Sequence, residues 1–158
     1  MEELKITLKN ISKKLLNYYY INCGGCCLYA YLIAKQLDIR KIPYKVIIEH
    51  PYHSKREYNN QAQNQSKCLT IHHIFLRISD KFYYDSDGIK SRWHKDKISL
   101  NIDSEKILNL YTNGSWNPAF KEFTSKTRIK KLKQIIKQEF NEYDKRVENS
   151  MRYWRLYS

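Results

Sequence analysis

Nine residues, Asn22-Cys23-Gly24-Gly25-Cys26-Cys27-Leu28-Tyr29-Ala30, constrain this chain more than any other stretch. Two adjacent glycines permit a tight turn and a close backbone approach, and an amphipathic helix is expected to begin where they end. A thiol then stands at a helix start, where unpaired amides and a partial positive charge favour an anion. Downstream, His72-His73 opens an alternating apolar run and Tyr83-Tyr84-Asp85 follows it. A thiol at a helix start, a histidine on one strand and a carboxylate on the next are the parts of a cysteine nucleophile site.

The surrounding pattern predicts an α+β fold in one domain spanning residues 1–158. Leu4, Leu8, Ile11 and Leu15 recur at helical spacing and predict a helix from residue 3 to about residue 20. The second helix should run from Cys26 to Leu37, with Cys26, Ala30, Ile33, Ala34 and Leu37 on its packed face. The β-branched run Tyr44 to Glu49 predicts a strand, and polar residues 50–67 a surface loop. Two further strands, Cys68 to Ile78 and Phe82 to Ser86, form a hairpin around Ser79-Asp80-Lys81, and Asp87-Gly88 ends the second. Residues 89–103 carry no clear period. A short helix is expected from Ser104 to Tyr111, stopped by Asn113-Gly114, followed by an aromatic loop at residues 115–120. A long helix begins near Ser125, with Ile129, Leu132, Ile135, Ile136, Phe140, Tyr143 and Val147 in phase. An aromatic and basic tail, residues 151–157, follows it.

Phase singles out the reacting residues. A thiol near its reference pKa of about 8.5 is mostly protonated at neutral pH and needs activation by a helix start or an imidazolium. Cys26 stands at that position, whereas Cys27 lies about 100° further round the helix. His72 and His73 must face opposite sides of their strand. His72 shares a face with Ile74, Leu76 and Ile78, the core side, which leaves His73 at the rim. Asp85 on the paired strand can hold the far ring nitrogen, with Asp87 as its fallback. Cys26 is thus the candidate nucleophile, His73 the base and Asp85 the orienting acid.

The order of Gly-Gly-Cys at a helix start, a strand opening with His and a next strand ending Tyr-Tyr-Asp resembles the papain-like cysteine peptidase superfamily. Its transglutaminase-like and arylamine-acetyltransferase-like branches are the most similar, because there too His and Asp lie on successive strands. The resemblance covers about residues 20 to 90. It implies a helix carrying the nucleophile packed on a small antiparallel sheet, and thiol chemistry at an amide or acyl centre without a cofactor or metal. Cys27 stands where papain-type enzymes carry Trp, and Tyr20 at the offset of their oxyanion-hole Gln. Asn22 and Gly25 are then the candidates for oxyanion and substrate contacts, and Trp116 for a cleft wall. A chain this short corresponds to a minimal intracellular or virus-encoded version, acting on a protein, peptide or small acyl or amide substrate.

Rival readings stay open. Cys23, Cys26, Cys68 and His72 or His73 could form a structural zinc site. Cys23-Gly24-Gly25-Cys26 before a helix resembles a thioredoxin motif, but no long apolar strand precedes it. Lys plus Arg number 29 against 16 Asp plus Glu, a formal net charge of +13. That balance allows a basic protein that binds nucleic acid or an acidic host protein through the last helix. No apolar run approaches the roughly 18 residues of a membrane span. Residues 1–15 are charged and lack a signal-peptide pattern, so a cytoplasmic setting with reduced thiols is expected.

Overall fold

A computed structural model describes residues 1–15, 26–49, 73–91, 97–107 and 126–157. The chain forms α1 (Glu2–Leu15), α2 (Cys26–Ile39), β1 (Tyr44–Glu49), β2 (His73–Ile78), β3 (Phe82–Asp85), β4 (Gly88–Lys90), β5 (Lys97–Leu100) and α3 (Lys126–Tyr157). The sheet is antiparallel throughout, in the order β4-β3-β2-β1-β5. α2 packs on β2 and β3, α1 meets β4, and α3 lies against α1 and α2. No helix among the described residues is long and apolar enough to cross a membrane.

Alternation decides which side of the sheet the helices cover. Val46, Ile48, Ile74, Leu76, Ile78, Phe82 and Tyr84 point into one core with Leu4, Leu8 and Ile11 of α1 and Phe140 of α3. His73, Phe75, Arg77, Tyr83 and Asp85 alternate onto the opposite face. The β2–β3 hairpin closes through Lys81 N–H to the Ile78 carbonyl at 3.0 Å. Its central residues, Ser79 and Asp80, adopt φ of 50° and 54°. That left-handed pair matches the twist of the flanking strands.

Several elements differ from the pattern expected from sequence. α2 is not one-sided: every residue from Cys26 to Ala34 is buried, because β2 and β3 cover one side and α3 another. The strand ends before Asp87-Gly88 as expected, but the sheet continues beyond it. The chain turns at Ser86-Asp87 and returns as β4, with Gly88 opposite Asp85. β5 adds an edge strand beside β1 where no period was legible. Residues 151–157 are not a separate tail but the last turns of α3, since no Gly or Pro follows Pro118. The helical turn at 104–107 is present, capped by Asp103 Oδ1 accepting from Lys106 N–H at 2.9 Å. The remainder of that expected helix, the loops at 50–67 and 115–120, and residues 16–20 and 68–72 lie outside the described residues.

α2 ends as its sequence allows. Ile42 N–H donates to the Leu37 carbonyl and Lys41 N–H to that of Asp38, both at 3.0 Å, with Lys41 at φ 54°. This is a Schellman closure with lysine in the position glycine usually takes. Arg40 then reaches α3, its guanidinium paired with both Asp144 oxygens at 2.8 and 2.6 Å and lying over the Phe140 ring.

Candidate active site

Cys26 is the first residue of α2, so its N–H is one of the amides a helix leaves unpaired. His73 is the first residue of β2 and Asp85 the last of β3. The register that sets Leu76 opposite Tyr84 places His73 and Asp85 on one face as diagonal neighbours. His73 Nε2 lies 3.1 Å from Asp85 Oδ2. Cys26 stands near enough to the same ring to influence its titration. Cys26, His73 and Asp85, from three separate elements, are thus neighbours. Asn22, Gly25 and Trp116 lie outside the described residues.

The electrostatics follow from burial and pairing. Burial opposes the charged imidazole, but the Asp85 hydrogen bond and the Cys26 hydrogen bond and charge raise the His73 pKa from 6.5 to about 9. The ring is thus favoured as an imidazolium at neutral pH. Burial also opposes the Asp85 carboxylate, yet hydrogen bonds from His73 and Lys90, with the Lys90 charge, hold its pKa below the usual value. The Asp85 side chain is 2% exposed and that of His73 18%, so solvent reaches the relay from the histidine side. Phe75 stacks on the ring with centroids 5.8 Å apart and 28° between planes, limiting its rotation.

Each neighbouring cysteine position behaves differently. Cys27 is fully buried, and its Sγ points to the Ile107 carbonyl at 3.6 Å. Burial, and then the Cys26 charge, push its pKa far above the ordinary thiol value, so it stays an inert packing thiol. Cys23, Cys68 and His72, the other atoms of the zinc reading, lie outside the described residues. Among the described residues no group of three or more His, Cys, Asp or Glu could hold a metal ion. Asp87 does not replace Asp85. Its N–H donates to Asp85 Oδ1 at 2.9 Å and so helps orient the carboxylate.

No family model, curated protein or solved structure matches this chain. The site is therefore read from its own geometry.

Two features escaped the sequence pattern. Tyr29, one turn after Cys26, hydrogen-bonds Tyr84 Oη, and Tyr84 immediately precedes Asp85. Ser12 Oγ lies 3.1 Å from the same hydroxyl, which donates to the Leu8 carbonyl at 3.0 Å. This buried network ties α1, α2 and β3 together directly behind the relay. Lys90 is the second feature: its Nζ sits 2.8 Å from Asp85 Oδ2. Its signal was a lysine two residues after Gly88, visible only once the turn at Ser86-Asp87 is read as a hairpin rather than a stop.

Proposed function

We propose that this chain is a thiol-dependent enzyme acting on amide or acyl bonds, built on a papain-like, transglutaminase-like core. The observation that carries the reading is His73 Nε2 meeting Asp85 Oδ2 at 3.1 Å while Cys26, at the start of α2, stands near enough to influence the same ring. Cys26 attacks the carbonyl carbon, a C–S bond forms, and the carbonyl oxygen takes up the negative charge. The Cys26 amide at the helix start is a donor for that oxygen. His73 holds the proton left by the thiol and delivers it to the leaving group as the tetrahedral intermediate collapses to a thioester. Water, or an amine, then attacks the thioester with His73 taking its proton, and the thiol is restored. Attack by water makes the protein a peptidase or amidase; attack by an amine makes it an acyltransferase. Asp85 holds the ring throughout. Chemistry of this kind belongs in a reducing compartment such as the cytoplasm.

Alkylation rates test the reading. Iodoacetamide at neutral pH should modify Cys26 at least tenfold faster than Cys27 or Cys68, resolved by peptide mass spectrometry. Equal rates at the three thiols would sink the proposal. An activated ester should further leave an acyl group on Cys26 that hydroxylamine removes, and His73→Gln should abolish it.

A second reading rests on α3. Residues 126–138 carry six cations, Lys126, Arg128, Lys130, Lys131, Lys133 and Lys137, and no acid. A helix start favours anions, so this placement is unfavourable for the isolated helix. Lys130, Lys133 and Lys137 are exposed and fall at i, i+3 and i+7, one stripe with steps of roughly 4.5 and 6 Å along the axis. Such a stripe suits a phosphate backbone. Changing all three to Glu should weaken oligonucleotide binding and flatten its salt dependence, by roughly 0.7 in log–log slope per lost contact on a single strand. Polyglutamate competing as well as an oligonucleotide would assign the stripe to an acidic protein instead.

A further inference from the structure

The Asp85 carboxylate is shared. Its Oδ1 accepts from Asp87 N–H at 2.9 Å. Its Oδ2 lies 3.1 Å from His73 Nε2 and 2.8 Å from Lys90 Nζ. The two cationic groups thus compete for one oxygen, and the lysine is the closer. Lys90 is brought there by construction. β3 ends at Asp85, Ser86-Asp87 make the turn, and three residues of β4 return the chain with Lys90 opposite Tyr83, on the face of Asp85. Gly88 permits this with φ +116°, a backbone state that side chains rarely adopt. Lys90 also lies 3.5 Å from Asp87 Oδ2, which steadies the ammonium from the turn side.

We propose that Lys90 is a positioning residue of the relay, an ammonium that grips the oxygen orienting His73 and limits how much of its charge the ring receives. Two consequences follow. A carboxylate this buried is destabilised as an anion, and a second cation offsets that cost. The ammonium keeps Asp85 an unprotonated acceptor. The same ammonium repels the imidazolium, so His73 releases its proton to a leaving group more readily than an Asp–His pair alone would allow. Asp85 is indeed held ionised, with the Lys90 hydrogen bond and charge among the causes.

Among the described residues, the charged groups facing His73 come from four elements. Cys26 lies on α2, Asp85 on β3, and Lys90 on β4 acts through the shared oxygen. Glu49 on β1 is the direct register partner of His73 and is itself buried. Asp87 touches Asp85 and Lys90. Lys90 is the group of these whose removal should make the ring a stronger base; loss of Cys26, Asp85 or Glu49 would weaken it.

The inference rests on the thiol-enzyme reading for its catalytic meaning, but its test does not. His73 is titrated by NMR in the full-length protein, its resonance assigned by its disappearance in His73→Gln. Lys90→Met should raise the pKa of the ring by roughly one unit, a tenfold tighter grip on its proton. Lys90→Arg should leave it near that of the parent. Lys90→Gln, which keeps a neutral donor, should behave as Lys90→Met and serves if the methionine variant does not fold. A ring that titrates unchanged, or lower, in both neutral variants overturns the proposal. If the ring moves as expected while Cys26 shows no enhanced alkylation, Lys90 tunes the cluster and the enzyme reading alone has failed.

Discussion

Replacing Asp85 by Asn tests the electrostatics of the relay most directly. The side chain keeps its shape and one acceptor oxygen but loses its charge. At 3.1 Å the Asp85–His73 attraction is on the order of 5 kcal/mol gross at an effective dielectric of 20. Burial of both groups and the opposing Lys90 ammonium reduce that gross figure. The net result is a His73 pKa of about 9 against an ordinary 6.5, equivalent to about 3 kcal/mol and shared with Cys26. Asp85→Asn should therefore lower the ring's pKa by between roughly one unit and the whole rise, or about 1.4 to 3 kcal/mol of lost imidazolium stabilisation. Heteronuclear NMR between pH 5 and 10 reads the change directly. The fast alkylation of Cys26 should fall with it, because at neutral pH less of the ring would carry the charge that activates the sulfur. A shift under half a unit would show that Asp85 is not what holds the proton on His73.

Three further perturbations probe the frame around the relay. Cys27 has a raised folded-state pKa, so its contribution to stability is present below the unfolded thiol value of 9.0 and is lost as pH rises beyond it. Urea unfolding from pH 8 to 10.5 should show a decline to which Cys27 adds up to about 1.4 kcal/mol per unit above that value, and Cys27→Ala should make the slope shallower, with the buried Tyr29 and Tyr84 supplying part of what remains near pH 10. Tyr84→Phe deletes the hydroxyl shared by Tyr29, Ser12 and the Leu8 carbonyl. It should destabilise the fold by about 1–3 kcal/mol in urea, because the Tyr29 hydroxyl loses a buried partner. Among the described residues Gly88→Ala meets Ser12 Oγ at 3.8 Å and Ser12 Cβ at 4.0 Å, so packing does not resist it, but φ +116° does. A loss of about 1–3 kcal/mol is expected by thermal or urea unfolding, and a neutral outcome would mean that β4 relaxes freely.

The parts legible in the sequence were those with a repeated local signal. Leu4, Leu8, Ile11 and Leu15 gave α1 by period, and all four are buried. Tyr44 to Glu49 gave β1 to the residue, because a β-branched run bounded by Pro43 leaves little choice. Alternation through Ile74, Leu76 and Ile78 separated the core face of β2 from the face bearing His73. What stayed hidden was short or cooperative. β4 has three residues and β5 four, fewer than alternation needs to show itself. The burial of α2 on all sides was present as an unbroken apolar run from Cys26 to Ala34, but Ala30 and Ala34 at helical spacing drew attention to a single face. The Tyr29–Tyr84 contact joins residues 55 apart, and no local pattern encodes such a pair.

That contact also explains why the relay survives in a strand as short as β3. Side chains alternate across a strand, so a slip of one residue between β2 and β3 would turn Asp85 toward the helices and Tyr84 toward His73. Four residues of ladder resist such a slip weakly. Tyr84 resists it strongly, because it is buried in the core and its hydroxyl is held by Tyr29, Ser12 and the Leu8 carbonyl. Slipped outward, it would forfeit the burial of an aromatic ring, about 2–3 kcal/mol, and leave the Tyr29 hydroxyl without its buried partner, about 1–3 kcal/mol more. Asp85 would meanwhile enter an apolar core with no cation beside it. The parity that seals the core is the parity that aims the carboxylate at His73. Because Tyr29 lies on α2, the same hydroxyl pair sets how far the Cys26 end of that helix stands from the strand. Packing and chemistry are coupled here through two adjacent residues, one facing each way.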